Sequence, residues 1–234
     1  MTRRNRIGSI LTAAVAAIFL LTLGATRASA DTLTFDLTAT NLSGYTGYGP
    51  FVQVGIDLTS STTATITFTS LTNNGNIYLL GSNSAAVSVN VNATPGGWTI
   101  GSLSGSNAGT GFTPGPLSDG GSGNQDGFGS FNQQVNSFDG FTHSSDTISF
   151  VLTDTSGTWS SAGNVLVANA SGYVAGAHIF VTASPADASN GAVITGDVTG
   201  DGTATVAEPT SIALLGGILA FTAHKIRRRK VRTN

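Results

Sequence analysis

Five stretches of this 234-residue chain alternate apolar and polar residues with period two. Leu33, Phe35 and Leu37 interleave with Thr34, Asp36 and Thr38, and Val52, Val54, Ile56 and Leu58 repeat the pattern. Thr separates Ala64, Ile66 and Phe68; Ser88 and Asn90 separate Val87, Val89 and Val91; Ser149 and Val151 separate Ile148, Phe150 and Leu152. Successive strand side chains point to opposite faces, whereas a helical stripe recurs every three or four residues, so these segments read as half-buried strands. Ala177–Val181 carries apolar residues on both faces and reads as a central strand. Asn74-Gly75, whose two positions both tolerate positive φ, predicts a hairpin turn, and Ser156-Gly157 a second one ahead of Trp159. About nine strands at short spacing, with no helical pattern between them, predict an all-β domain: an antiparallel β-sandwich or a jelly-roll-like fold over 31–182.

Charge is segregated along the chain. Ten Lys and Arg against twelve Asp and Glu give a net charge of −2, yet no Lys or Arg lies between Ala28 and His224. Eleven Asp and no Glu fall between Asp31 and Ala207. Such a body cannot neutralise phosphates, which argues against nucleic acid as a partner, and it excludes a lysine Schiff base or an arginine clamp. Acidic polysaccharide would be met through divalent cations or through hydroxyl and amide hydrogen bonds. With no Cys in the chain, disulfide and thiol chemistry are absent as well.

The two ends differ in kind from the body. Arg3, Arg4 and Arg6, an apolar run from Ile10 to Leu23, and Ala28-Ser29-Ala30 make residues 1–30 a secretory signal, with signal peptidase leaving Asp31 as the first mature residue. The alternative is an uncleaved membrane anchor. At the other end, Val206-Ala207-Glu208-Pro209-Thr210-Ser211 precedes an apolar run over 212–223 and then the basic cluster Lys225, Arg227, Arg228, Arg229 and Lys230. Twelve helical residues reach about 18 Å, short of the roughly 30 Å hydrocarbon core. The run therefore suits transient membrane contact, with the positive charges held on the cytoplasmic side. A tilted or lipid-thinning permanent anchor is the alternative. Residues 183–205, small and polar, read as a flexible stalk.

The tail over 206–234 resembles the PEP-CTERM sorting signal of exported proteins of Gram-negative bacteria. The matching residues are Glu208 and Pro209, Thr210-Ser211, the Leu/Gly/Ala-rich run and the Arg cluster, while Ala207 stands where the usual motif has its first Pro. The resemblance implies recognition by exosortase, a transpeptidase-like membrane enzyme, with processing near Glu208-Pro209 and display or release at the cell surface. It also implies a link to exopolysaccharide and biofilm. It says nothing of what the body does.

Chemistry in the body is sparse. Gly101 to Phe131 holds ten Gly and reads as a long loop, and Asp126-Gly127-Phe128 is echoed by Asp139-Gly140-Phe141. Phe128 and Phe141, with Trp98 and Trp159, are candidate sugar-stacking residues of a carbohydrate-binding module. The plainer reading is two Asp-Gly turns, each followed by a core Phe. Asp197-Val-Thr199-Gly-Asp201-Gly202 followed by Glu208 approximates a calcium loop and resembles the dockerin repeat, with Thr199 in place of an acidic or amide ligand. Asp197 and Asp201 are thus candidate Ca2+ ligands. No Gly-x-Ser-x-Gly is present, and the body holds two distant His. His143, Ser144, Ser145 and Asp146 adjoin in sequence, but neighbours along a strand diverge. His143 reads as a loop residue and His178 as a packed, hydrogen-bonded one. Asp119, Asp126, Asp139 and Asp146 would supply the carboxylate pair of an Asp-dependent glycan hydrolase or lyase, the third alternative. The leading expectation is an exported, non-enzymatic surface or matrix protein.

Overall fold

The computed structural model describes residues 31–138 and 140–203. Thirteen strands follow in chain order: β1 (Asp31–Leu37), β2 (Ala39–Thr40), β3 (Val52–Ser60), β4 (Thr63–Ser70), β5 (Thr72–Asn73), β6 (Asn76–Leu80), β7 (Val87–Val89), β8 (Trp98–Ser106), β9 (Ser118–Gln125), β10 (Gly129–Asn136), β11 (Thr147–Asp154), β12 (Ala175–Ala183) and β13 (Ile194–Gly200). Three single 3-10 turns join them, and no α-helix occurs among the described residues. The first sheet runs β1-β3-β4-β11-β8; the second runs β2-β13-β12-β7-β10-β9, with β6 also on β12 and β5 on β6. Every pairing between these strands is antiparallel.

The period-two pattern sets the register. Phe35 lies opposite Val54, Ile56 opposite Ile66, and Ile66 opposite Phe150, so the apolar residues of four strands share one face. That face meets Tyr78, Leu80, Val87, Val89, Val135, Ala177, Ile179 and Val198 of the second sheet in one buried cluster. The result is a β-sandwich-like body held by apolar burial and backbone pairing. Inside it, Phe68 stacks on Phe150 at 6.4 Å and Phe51 meets Tyr78 edge-on at 4.9 Å.

Ala177–Val181 lies within β12, which has β13 on one edge and β6 and β7 on the other. Its second face is covered too, by a smaller cluster of Leu79, Phe180 and Ala186 against Phe112 and Phe141. The Asn74-Gly75 hairpin turn forms as expected, with φ of 51° and 77° at its two positions. Ser156-Gly157 makes no hairpin: the Asp154 carboxylate accepts from both backbone N–H groups and ends β11, and the chain then carries Trp159 into the core.

Two segments differ from their sequence reading. The Gly-rich stretch 101–131 is strand over most of its length, in β8, β9 and β10. Two of its glycines lie under side chains of β10: a Cβ at Gly123 would meet the Gln134 amide, and one at Gly120 would sit 2.6 Å from Asn136 Oδ1. The flexible stalk expected over 183–205 is also overturned for most of its length. Asp187 caps a 3-10 turn at Ala188–Asn190, and β13 pairs with β12 from Ile194 to Gly200. Glycine is required at the end of β13, where a Cβ on Gly200 would meet Asp36 O of the first sheet at 2.7 Å.

Candidate functional site

The four aromatic candidates are distributed between core and surface in a way that their sequence positions did not reveal. Trp159 is 3 % exposed, and its Nε1 donates to Asn92 O at 2.9 Å. Phe128 is buried and meets Tyr173 edge-on at 5.3 Å. Neither ring presents a face to a ligand, so the stacking role is withdrawn for both. Trp98 is half-buried at the start of β8 and is tied through Nε1 to Gln133 Oε1 at 3.0 Å. Phe141 is also half-buried, with Phe112 at 5.2 Å and Phe180 at 5.9 Å. Asp126-Gly127 is a turn between β9 and β10 followed by a core Phe, with Gly127 at φ 80°. Asp139 lies outside the described residues.

The calcium-loop reading fails on backbone shape. Asp197 and Thr199 lie in extended β13, on the same face, and an extended strand does not wrap an ion as a calcium loop must. The Asp197 carboxylate is buried and accepts from Gln125 Nε2 and from Asn41 Nδ2, while Asn41 Oδ1 receives Asp197 N at 2.8 Å. Asp201, past the strand end, accepts from Thr203 N at 3.0 Å, and this holds its carboxyl below the ordinary value. Glu208 and the sorting motif Ala207–Ser211 lie outside the described residues, as do Ala28, Ala30 and the basic cluster. Asp31, the expected mature N-terminus, opens β1, and its Oδ2 accepts from Ala162 N at 2.6 Å.

The two His are placed as expected. His143 ends a 3-10 turn and donates from Nδ1 to Thr113 O at 2.8 Å. His178 lies in β12, donating from Nδ1 to Gly81 O at 2.7 Å, with Nε2 3.0 Å from the Thr195 hydroxyl. Ser144 and Ser145 are fully buried, and Asp146 accepts from Ala108 N at 2.7 Å and from Ser106 Oγ at 3.4 Å, so the sequence neighbours do not converge.

Two groupings bring together residues that the sequence reading left apart. The first is a buried polar network on the outer side of the second sheet. Ser88 Oγ donates to Gln125 Oε1 at 2.6 Å, Gln134 Nε2 reaches Ser88 Oγ at 3.2 Å, and Gln125 in turn donates to Asp197. It joins β7, β9, β10 and β13, and Asn41 extends it to the Asp126 carbonyl at 3.2 Å. Burial pushes the Asp197 carboxyl above its ordinary value, against the opposing pull of Gln125, His178 and Asn41. With its polar atoms committed to one another, this network fastens the β9–β10 turn to the sheet.

The second is a tyrosine cluster in the loop between β2 and β3. Tyr45 and Tyr48 lie 5.2 Å apart at 51°. Tyr48 N donates to Tyr45 O at 3.0 Å, and Asn73 Nδ2 donates to Tyr48 O at 2.7 Å. The buried Tyr78 phenol donates to Asn73 O at 3.4 Å; its pKa is raised above 10, first by burial and then by the nearby Tyr45 and Tyr48 phenols. Tyr48 is 40 % exposed. The sequence signal was available in Gly44-Tyr45-Thr46-Gly47-Tyr48-Gly49, two aromatics set among glycines between strands. Among the described residues no three His, Asp or Glu gather to hold a metal ion, and no helix is long and apolar enough to cross a membrane. No protein-family model, curated protein or solved structure matches the chain.

Proposed function

We propose that this chain is an exported, non-enzymatic surface or extracellular-matrix protein. Its signal directs export and is removed by signal peptidase, and an exosortase-type enzyme sorts it at the membrane through its tail. The protein then works at the cell surface beside exopolysaccharide in a biofilm. The observation that carries the reading is the tripartite order of 206–234 behind a secretory signal. Among the described residues, β1 opens at Asp31, the expected mature N-terminus, and β13 ends at Gly200.

Intact-mass measurement and terminal sequencing of the protein from its native host test this reading. The expected species begins at Asp31 and ends near Glu208-Pro209. A surface form that keeps 212–234 overturns the processing. A carbohydrate-binding module is the second reading, and the exposed Tyr48 beside Tyr45 favours it.

A further inference from the structure

We infer that Tyr45 and Tyr48 form a stacking platform for a neutral polysaccharide chain. The inference rests on the reading that the protein works beside exopolysaccharide, and it assigns the contact to a loop rather than to the aromatic residues that the sequence pattern favoured. A sugar ring offers an apolar C–H face and a rim of hydroxyls. Its receptor needs an accessible aromatic face with hydroxyl and amide groups close by.

The β2–β3 loop supplies both. Tyr48 is an exposed ring, and the second phenol stands 5.2 Å away. Apart from each glycine's own chain neighbours, no atom lies within 4 Å of where a Cβ would stand on Gly44 or Gly47, so the loop is open to solvent at these two positions. Thr46 is exposed, and the exposed Asn74 follows directly on Asn73, whose amide is bonded to the Tyr48 carbonyl.

The platform is also held in place before any ligand arrives. Tyr45 packs against the core, Tyr48 is bonded through both its N–H and its carbonyl, and Asn73 also donates to Gly49 O at 3.2 Å. Ordering the loop on binding therefore costs little. Ser43 to Gly49 contains no aliphatic side chain longer than the Thr46 methyl, which does not suit insertion into a lipid surface. The absence of Lys and Arg from Ala28 to His224 selects a neutral polymer over an acidic one. Phe138, the other large exposed aromatic among the described residues at 52 %, meets the His143 ring at 4.6 Å and serves as the control.

Affinity electrophoresis of the full-length chain, recovered from the envelope of an expressing Gram-negative host, is the test. Gels contain laminarin, dextran or xyloglucan as neutral probes and alginate as the acidic one. At least one neutral polymer retards the wild type, and alginate does not. Tyr48→Ala weakens the retardation by about tenfold, the loss of one aromatic contact. Tyr48→Phe, which keeps the ring, and Phe138→Ala are retarded like the wild type. Circular dichroism confirms that each variant is folded. Absence of retardation by every neutral polymer, retardation by alginate alone, or undiminished retardation of Tyr48→Ala overturns the inference. A protein that is processed as proposed but not retarded overturns the platform alone; one that is retarded but keeps its tail overturns the sorting alone.

Discussion

Val198 and Gly200 decide whether the segment before the sorting motif is fold or spacer. Val198 is fully buried, opposite Ala177 in the sheet and within the main core. Val198→Ala removes two methyl groups. At about 0.8 kcal/mol per buried carbon, plus a term for the cavity left behind, the expected loss is about 2–3 kcal/mol. For a domain of this size that lowers Tm by roughly 4–12 °C. Gly200→Ala acts by the opposite mechanism: the new Cβ would stand 2.7 Å from Asp36 O and 3.0 Å from Leu37 Cδ2. Asp36 O is a backbone atom of the first sheet and cannot swing aside, so overpacking costs about 1–3 kcal/mol. Urea denaturation followed by circular dichroism, with thermal melts alongside, measures both. In a flexible spacer either change would stay within about 0.5 kcal/mol of the wild type. Two such silent substitutions would refute the placement of β13 in the sheet.

Trp159→Ala, which empties a core site and strands the Asn92 carbonyl, is expected to cost about 3–5 kcal/mol in the same urea assay; a loss under about 1 kcal/mol would return Trp159 to the surface. For Asp197, burial raises the native pKa above the ordinary 3.8. The native state then holds the proton more tightly than the unfolded chain, and its stabilising contribution is full below 3.8 and is lost as pH rises through the native value. Asp197→Asn removes that dependence, so its stability relative to the wild type should rise from about pH 3 to about pH 7 in paired urea titrations. A constant or falling difference would show that the hydrogen bonds from Gln125 and Asn41, rather than burial, govern the carboxyl.

Strand identity was legible wherever the alternation was clean. Phe35, Ile56, Ile66 and Phe150 face the core as their period requires, because register follows from which face can be buried. Asn74-Gly75 was legible because few other residue pairs fit two left-handed positions. The loop and stalk expectations failed for a common reason. Gly200 lies against the Asp36 backbone, and Gly120 and Gly123 lie under the Asn136 and Gln134 side chains; composition cannot distinguish a glycine in a free loop from one in a packed strand. The Asp197 pattern failed likewise: Asp and Gly spacing suggested a wrapped ion, while strand pairing with β12 straightened the chain.

The sequence by itself determined an all-β body with strands of defined facing, a body without basic side chains, and two ends of a different character. Those properties depend on residue type and local period. Only the tertiary structure decided which aromatics are interior and which are open to solvent. Trp159 and Tyr48 are both flanked by small residues, yet one is buried in the core and the other is exposed. Burial is set by what the rest of the chain brings alongside, and in this body that is strands distant in sequence.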